Sequence, residues 1–156
     1  MVRIEAANSS HLGEVLGWLQ LEEQESGEGF FCNQNVIANA FASGSGICAV
    51  SESGVSGFAV IQVLGEGGDI HIIEVKPVAR GRGLGARLLL AAIELLRELG
   101  AKFVDVECTS RAGEALCRKH GFEDYSDSRN YQSEWDNPTL RLYLSAWRPK
   151  ARHPWA

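Results

Sequence analysis

One stretch of the chain, residues 70–86, constrains the fold more than any other. The segment Ile70–Lys76 is rich in β-branched residues, which is typical of a buried strand. Pro77 ends this strand because proline has no N–H to donate to a sheet. The glycine-rich segment Arg80–Gly85 follows, and Ala86–Leu99 then has the apolar spacing of a helix. The sequence therefore predicts a strand, a tight turn and a long helix in that order.

A glycine-rich turn that leads into a helix is suited to binding an anion. The first helical N–H groups have no intrahelical acceptor and carry a partial positive charge. Arg80 and Arg82 add full charges that suit phosphate oxygens. The segment has no lysine followed by serine or threonine, and its glycines follow Gly-x-Gly-x-Gly, so it is neither a Walker P-loop nor a dinucleotide fingerprint. An ordinary glycine-rich connection is the alternative.

Val75-Lys76-Pro77 followed by Arg80-Gly81-Arg82-Gly83-Leu84-Gly85 resembles the acyl-CoA-binding motif of the GNAT superfamily of N-acetyltransferases. That motif reads Val-x-Pro, a short spacer, then Arg/Gln-x-x-Gly-x-Gly/Ala. The resemblance implies acetyl-CoA as co-substrate, with its pyrophosphate on the amides of the turn and its pantetheine along the preceding strand. It requires no metal. The cofactor-binding residues it implies are Ile73, Val75, Arg80, Gly81, Arg82, Gly83, Leu84, Gly85, Ala86 and Ser110.

The predicted order of elements agrees with this resemblance. The expected fold is α/β (α+β), a GNAT-like mixed, mostly antiparallel sheet of 6–7 strands with helices on both faces. We expect a single acyltransferase domain over residues 1–147 and a basic C-terminal tail over 148–156. The predicted strands are Val2–Ala6, Gly46–Ser51, Val55–Leu64, Ile70–Lys76, Ala101–Cys108, Phe122–Tyr125 and Leu140–Ala146; the predicted helices run from a cap at Ser9 or Ser10 to about Glu25, and over Val36–Ala42, Ala86–Leu99 and Arg111–His120.

Composition narrows the class of protein. A chain of 156 residues that is 45% hydrophobic can bury one core. A net charge of −5 argues against nucleic acid as a partner. The longest apolar run, Leu88–Ile93, is too short to span a bilayer, and the N-terminus does not have the pattern of a signal peptide. The four cysteines form no Cys-x-x-Cys pair, so we expect no metal site or disulfide framework and a cytoplasmic protein.

Acetyl transfer to an amine requires a base, because an ammonium group cannot attack a carbonyl. Glu74 lies inside an apolar strand, where an unpaired carboxylate is costly, and is therefore the first candidate. Asp105, on the neighbouring strand, is the second, and His71 is the third. An ion pair with a nearby arginine or lysine is the structural alternative for Glu74.

The second family motif departs from the usual pattern. Relatives carry an asparagine after the fifth strand and a tyrosine that protonates the leaving thiolate, whereas Ser110 and Cys117 stand in these places here. Gly121-Phe122 keeps the register of the motif. Cys117 is interpreted as a small buried hydrophobe, a general acid or a redox-active thiol, and Tyr125 or Tyr131 could replace the missing tyrosine. The catalytic candidates are Glu74, Asp105, Tyr125 and Cys117.

Acidic and aromatic residues suggest where the acceptor binds. Two acidic rims would attract a cationic amine, although charges that solvate exposed loops are the alternative. Four aromatic residues could line the same cleft or pack in the core. The acidic residues are Glu22, Glu23, Glu25 and Glu28 in one rim and Asp124, Asp127, Glu134 and Asp136 in the other; the aromatic residues are Trp18, Phe30, Phe31 and Trp135.

The sequence thus predicts an N-acetyltransferase that moves an acetyl group from acetyl-CoA to a primary amine by direct attack in a ternary complex. The acceptor is a small-molecule or peptide amine, and neither nucleic acid nor a membrane is an expected partner. The alternative is a non-catalytic acyl-CoA-binding module with a regulatory or interaction role. A homodimer is a further expectation, through an edge strand at Leu140–Leu144.

Overall fold

The computed structural model describes residues 1–27, 29–125 and 137–144, which form an α/β fold on one seven-stranded sheet. The paired strands whose register is resolved are antiparallel, as predicted for a GNAT-like sheet. The strands are β1 (Arg3–Ala6), β2 (Gly46–Ser51), β3 (Gly54–Leu64), β4 (Gly67–Val75), β5 (Phe103–Glu107), β6 (Glu123–Asp124) and β7 (Thr139–Tyr143); the helices are α1 (Ser9–Ser26), α2 (Gln34–Ser43), α3 (Leu84–Glu98) and α4 (Arg111–Lys119). The strand order is β1-β2-β3-β4-β5-β7-β6.

The chain forms two compact units. The first contains Met1–Gln62 and Ile70–Leu95, and the second contains Val63–Asp69 and the chain from Leu96 onward. The single domain over residues 1–147 stays a prediction, and the basic tail lies outside the described residues. No helix in the described part of the chain is long and apolar enough to cross a membrane.

The core of the first unit lies between α1, α2 and the strands they cover. Phe58 on β3 is its central aromatic residue, with ring centroids 5.9 Å from Trp18 on α1 and 5.9 Å from Phe41 on α2. Trp18 is therefore a core residue. Phe30 and Phe31 are partly buried and pack against the same cluster.

The start of α1 differs from the prediction. Asn8 caps the helix, rather than Ser9 or Ser10: its side-chain oxygen accepts a hydrogen bond from the Ser10 N–H at 2.8 Å. The His11 ring in turn accepts a hydrogen bond from the Asn8 N–H at 3.1 Å, which completes a capping box. This cap fixes the register of α1, and Glu22 therefore falls on the same face as the buried Trp18 and Leu19.

The long helix α3 begins two residues earlier than predicted, at Leu84. Leu88, Leu89 and Ala92 are fully buried, which confirms most of the predicted apolar stripe. Leu99 is an exception, since it follows the end of the helix and is 55% exposed. The buried apolar face of α3 therefore ends at Leu96, before the predicted end of the helix at Leu99.

In the second unit β7 lies between β5 and β6. It pairs with β5 from Thr139 to Tyr143 and with β6 at Leu140 and Arg141. β7 is therefore not an edge of the sheet at Leu140 and Arg141, and the homodimer stays a prediction.

Candidate active site

The turn after β4 has the conformation that its glycines predict. A short 3-10 helix, Pro77–Ala79, leads into it, and Gly81 and Gly83 then adopt φ values of 81° and 80°. This left-handed region favours glycine because a Cβ strains it. No heavy atom lies within 4 Å of the place where a Cβ would stand at either glycine, so the space beside the turn is open.

The start of α3 gives this open turn a positive character. The N–H groups of Leu84, Gly85 and Ala86 belong to the first helical turn, which has no intrahelical acceptors and lies at the positive end of the helix dipole. Arg82 is exposed on the same turn. These groups fit a pyrophosphate, because backbone N–H donors and a guanidinium are its usual partners.

Arg80 has a different role from the one its sequence position suggests. Its Nε donates to the Val75 carbonyl at 2.9 Å, and its Nη2 donates to Glu22 Oε2 at 2.5 Å and to Glu74 Oε1. The guanidinium is thus engaged by two carboxylates and a main-chain oxygen. The Arg80 backbone N–H donates to the Pro77 carbonyl at 3.3 Å, so the groups that fit a phosphate are the Arg82 side chain and the N–H groups at the start of α3.

The two carboxylates of this cluster are buried. The side chains of Glu22 and Glu74 are each 10% exposed, whereas that of Arg80 is 49% exposed. Burial and the nearby Glu22 charge raise the pKa of Glu74 from 4.5 to about 7, although Arg80 acts in the opposite direction. A carboxylate with this pKa can accept a proton at neutral pH.

Glu22 is the residue of this cluster that the sequence does not place beside Glu74 and Arg80. It was assigned to an exposed acidic rim, but its carboxylate lies inside, and Oε1 has no hydrogen-bond partner among the described residues. A Cβ at Gly29 would stand 2.6 Å from Glu22 Oε1, so a side chain there would require the Glu22 carboxylate to shift. Its position could have been predicted from its spacing, because Glu22 follows the buried Trp18 and Leu19 by four and three positions and so lies on the same face of α1.

The other candidate bases lie in different surroundings. Asp105, in the second unit, accepts two hydrogen bonds from Arg141, at 2.7 and 2.9 Å. This bidentate ion pair is the structural alternative for an acidic residue in a strand. His71 is exposed and lines a groove of about 380 Å³ together with Asn39 and Ser43.

Tyr125 packs on the same arginine that pairs with Asp105. The Arg141 guanidinium carbon lies 3.9 Å from the centroid of the Tyr125 ring and 3.9 Å from that of Phe103. The arginine is thus held by cation–π contacts as well as by a carboxylate. The role of Tyr125 as an acid stays a prediction, and Tyr131 lies outside the described residues.

Ser110 is the N-cap of α4, and Cys117 lies in the last turn of that helix. The Ser110 hydroxyl caps the helix by accepting from the Gly113 N–H at 3.0 Å. Cys117 is 5% exposed, and a hydrogen bond to the Cys108 thiol, together with burial, raises its pKa well above the ordinary value. Its surroundings are those of a small buried hydrophobe.

The acidic and aromatic residues of the predicted acceptor cleft are only partly described. Glu23 and Glu25 are exposed on α1, and Asp124 pairs with Arg118 at 2.9 Å. No group of three histidine, cysteine, aspartate or glutamate side chains in the described part of the chain could hold a metal ion. Glu28, Asp127, Glu134, Trp135 and Asp136 lie outside the described residues.

Residues 10–122 match the Acetyltransferase (GNAT) family, and the chain belongs to this family. Mycothiol acetyltransferase from Clavibacter sepedonicus is 34% identical over 80 residues, which are 50% of this chain and 26% of that protein. The present chain thus spans about a quarter of the length of this relative.

Two solved structures share the fold. PaiA N-acetyltransferase from Thermoplasma acidophilum, in complex with coenzyme A, aligns with a TM-score of 0.74 at 12% identity, over 92% of this chain and 99% of its own. N-acetylglutamate synthase from Neisseria gonorrhoeae, with coenzyme A and N-acetyl-glutamate, aligns with a TM-score of 0.70 at 19% identity, over 93% of this chain and 35% of its own. At these low sequence identities, the likeness shows a shared fold only.

Proposed function

We propose that this protein is an N-acetyltransferase that moves an acetyl group from acetyl-CoA to a primary amine by direct attack in a ternary complex. The observation that carries the proposal is a carboxylate, Glu74, whose side chain is 10% exposed and whose pKa is about 7, three residues before the Pro77–Ala79 helix that leads into the open glycine turn. Membership of the GNAT family supports it. The similar proteins named as acetyltransferases, and those solved with coenzyme A, give further support.

In this proposal the turn holds the pyrophosphate through the amides of residues 81–86 and the Arg82 side chain, since the Arg80 amide donates to the Pro77 carbonyl. The main chain at Ile73 and Val75 holds the pantetheine. Acetyl-CoA supplies, when bound, a thioester carbonyl that a neutral amine can attack. The hydroxyl of Ser110 already caps α4, so any contact it makes with the cofactor has to coexist with this cap.

Glu74 acts as the general base. Its side chain is 10% exposed, and because its pKa is about 7 it can take up and release a proton near neutral pH. Its carboxylate takes the proton of the acceptor ammonium while the N–H electron pair stays on nitrogen. Cys117 is a poor acid because its pKa is raised, so the departing thiolate takes its proton from water, and that water regains the second proton that the attacking nitrogen loses as the amide forms.

The acceptor in this proposal is a cationic amine. Glu22, Glu74 and Arg80 together carry one net negative charge when both carboxylates are ionised. Glu23 and Glu25 are exposed on the same helix as Glu22. A positively charged acceptor is therefore drawn towards this end of the site.

One observation favours a second candidate, a non-catalytic acyl-CoA-binding module. Cys117 replaces the family tyrosine and is buried with a raised pKa, so it does not supply an acid. Acetyl-CoA turnover separates the two candidates, because a binding module retains the thioester in the presence of any amine.

The proposal is tested by calorimetric titration with acetyl-CoA. We expect Arg82→Glu to weaken binding about tenfold or more, because it replaces an attractive charge by a repulsive one beside the pyrophosphate. Lys119→Glu is the matched control: it makes the same charge change at an exposed position at the end of α4 and should leave the affinity unchanged.

Equal loss of affinity in the two variants would show that overall charge causes the loss and that the turn is not the binding site. A folded wild-type protein that binds no acetyl-CoA would overturn the enzyme proposal. Release of free thiol with an amine such as spermidine or phenethylamine, in excess of release without amine, would establish acetyl transfer over mere binding.

A further inference from the structure

We propose that Glu22 is a positioning residue for Glu74: by sharing the Arg80 guanidinium, it keeps the Glu74 carboxylate available as a proton acceptor. This inference rests on the proposed function, in which Glu74 is the base. It adds a residue from α1, 52 positions away in the sequence, to the machinery of β4 and the turn. Its evidence is the geometry and charge of the three side chains.

The three side chains meet at one nitrogen atom. Arg80 Nη2 donates both to Glu22 Oε2, at 2.5 Å, and to Glu74 Oε1. The guanidinium cannot move fully towards either carboxylate, because its Nε is bound to the Val75 carbonyl at 2.9 Å. The positive charge of Arg80 is therefore divided between two anions instead of stabilising Glu74 alone.

Glu22 lies with its side chain close to the chain that follows its helix. Its side chain is 10% exposed, and the position of a Gly29 Cβ would be 2.6 Å from its Oε1. That oxygen has no hydrogen-bond partner among the described residues. An unsatisfied, buried carboxylate oxygen is costly, so its presence calls for a compensating function.

The charge balance explains what Glu22 does. With both carboxylates ionised, the cluster of Glu22, Glu74 and Arg80 has one net negative charge, and the two carboxylate side chains are each 10% exposed. A proton on Glu74 leaves a neutral cluster in which Glu22 and Arg80 still form an ion pair. In the proposed reaction, an N–H bond of the acceptor ammonium breaks and an O–H bond forms on Glu74, which brings the cluster to this neutral state.

The charged groups that act on Glu74 oppose each other. Glu22, on α1, raises its pKa, and Arg80, on the turn, lowers it. Without the Glu22 charge, Arg80 would serve Glu74 alone, and Glu74 would become a weaker base. Glu22 thus determines how readily Glu74 accepts a proton.

The test is a ¹³C NMR titration of protein labelled at the glutamate side-chain carboxyl carbon, with the Glu74 signal assigned by its loss in Glu74→Gln. In Glu22→Gln we expect the pKa of Glu74 to fall from about 7 by about one or more, towards 4.5. Glu23→Gln is the matched control, since it removes the same charge from an exposed neighbour and should leave Glu74 unchanged. Glu22→Asp, which keeps the charge, should retain a raised pKa.

An Arg80→Gln variant tests the same balance in the opposite direction, and remains informative if Glu22→Gln does not fold. Because it removes the cation, it should raise the pKa of Glu74 above the wild-type value. An unchanged Glu74 titration in Glu22→Gln, or in Arg80→Gln, would overturn the positioning role. The titration needs neither acetyl-CoA nor an acceptor, so its result is distinct from a failure of acetyl-CoA binding, which would overturn the proposed function.

Discussion

Individual side chains at this site acquire their chemistry from their neighbours. Glu74 would be fully ionised at neutral pH in water, but burial and the Glu22 carboxylate bring its pKa to about 7. For Cys117, a hydrogen bond to the Cys108 thiol and burial raise the pKa, so its thiol stays protonated and is a poor proton donor. Glu74 is therefore suited to proton transfer near neutral pH, whereas Cys117 is not.

Replacing Cys117 by alanine tests this difference. We expect Cys117→Ala to retain at least about half of the wild-type kcat, whereas the loss of a true general acid costs about 100-fold or more. Cys48→Ala is the control for core packing, because Cys48 is likewise a buried, free cysteine. Steady-state acetylation measures both variants, and a large fall in kcat with unchanged acetyl-CoA affinity in Cys117→Ala alone would make the thiol an acid.

At the scale of secondary structure, the local sequence does not determine which residue caps α1. Asn8, Ser9 and Ser10 are all common N-cap residues, and the structure places Asn8 at the cap. We expect Asn8→Ala to lower the free energy of unfolding by about 1 kcal/mol, because the Ser10 N–H loses its acceptor.

Urea denaturation measures this loss. Ser9→Ala provides the comparison, since Ser9 is the first residue of the helix proper and should change the unfolding free energy by less than about 0.5 kcal/mol. A larger loss in Ser9→Ala than in Asn8→Ala would favour the cap that the sequence suggested.

The elements that local signals define were predicted well. The strand before Pro77, the glycine turn and the long helix follow from β-branched residues, proline and glycine within about 30 positions. The contact between Glu22 and Arg80 joins residues 58 positions apart, and no periodicity or motif encodes such a pair. The sequence identified Glu74 as the first candidate base, but its surroundings depend on this long-range contact.

For the molecule as a whole, the buried Glu74 carboxyl links stability to pH. Its pKa in the folded protein, about 7, exceeds the ordinary value of 4.5, so the folded state binds this proton more tightly. The stabilisation is fully present below pH 4.5 and is lost as the pH rises to about 7. The wild-type protein should therefore lose stability relative to Glu74→Gln across this interval.

Urea denaturation of both proteins between pH 4 and pH 8 measures the difference in the free energy of unfolding. The difference should change between about pH 4.5 and pH 7 and be constant on either side. Parallel pH profiles for the two proteins would show that Glu74 titrates in the folded state as it does in the unfolded chain.

The close approach of Gly29 to Glu22 also links substitutions at the two positions over evolutionary time. A side chain at position 29 would collide with the Glu22 carboxylate, and the left-handed backbone there, with φ of 106°, disfavours one independently. A descendant that loses Glu22 is released from the first of these constraints, while one that first replaces Gly29 must move or lose the carboxylate. The two positions are therefore linked in one direction: displacing or losing the Glu22 carboxylate leaves Arg80 to Glu74 alone, whereas the left-handed backbone at position 29 still favours glycine.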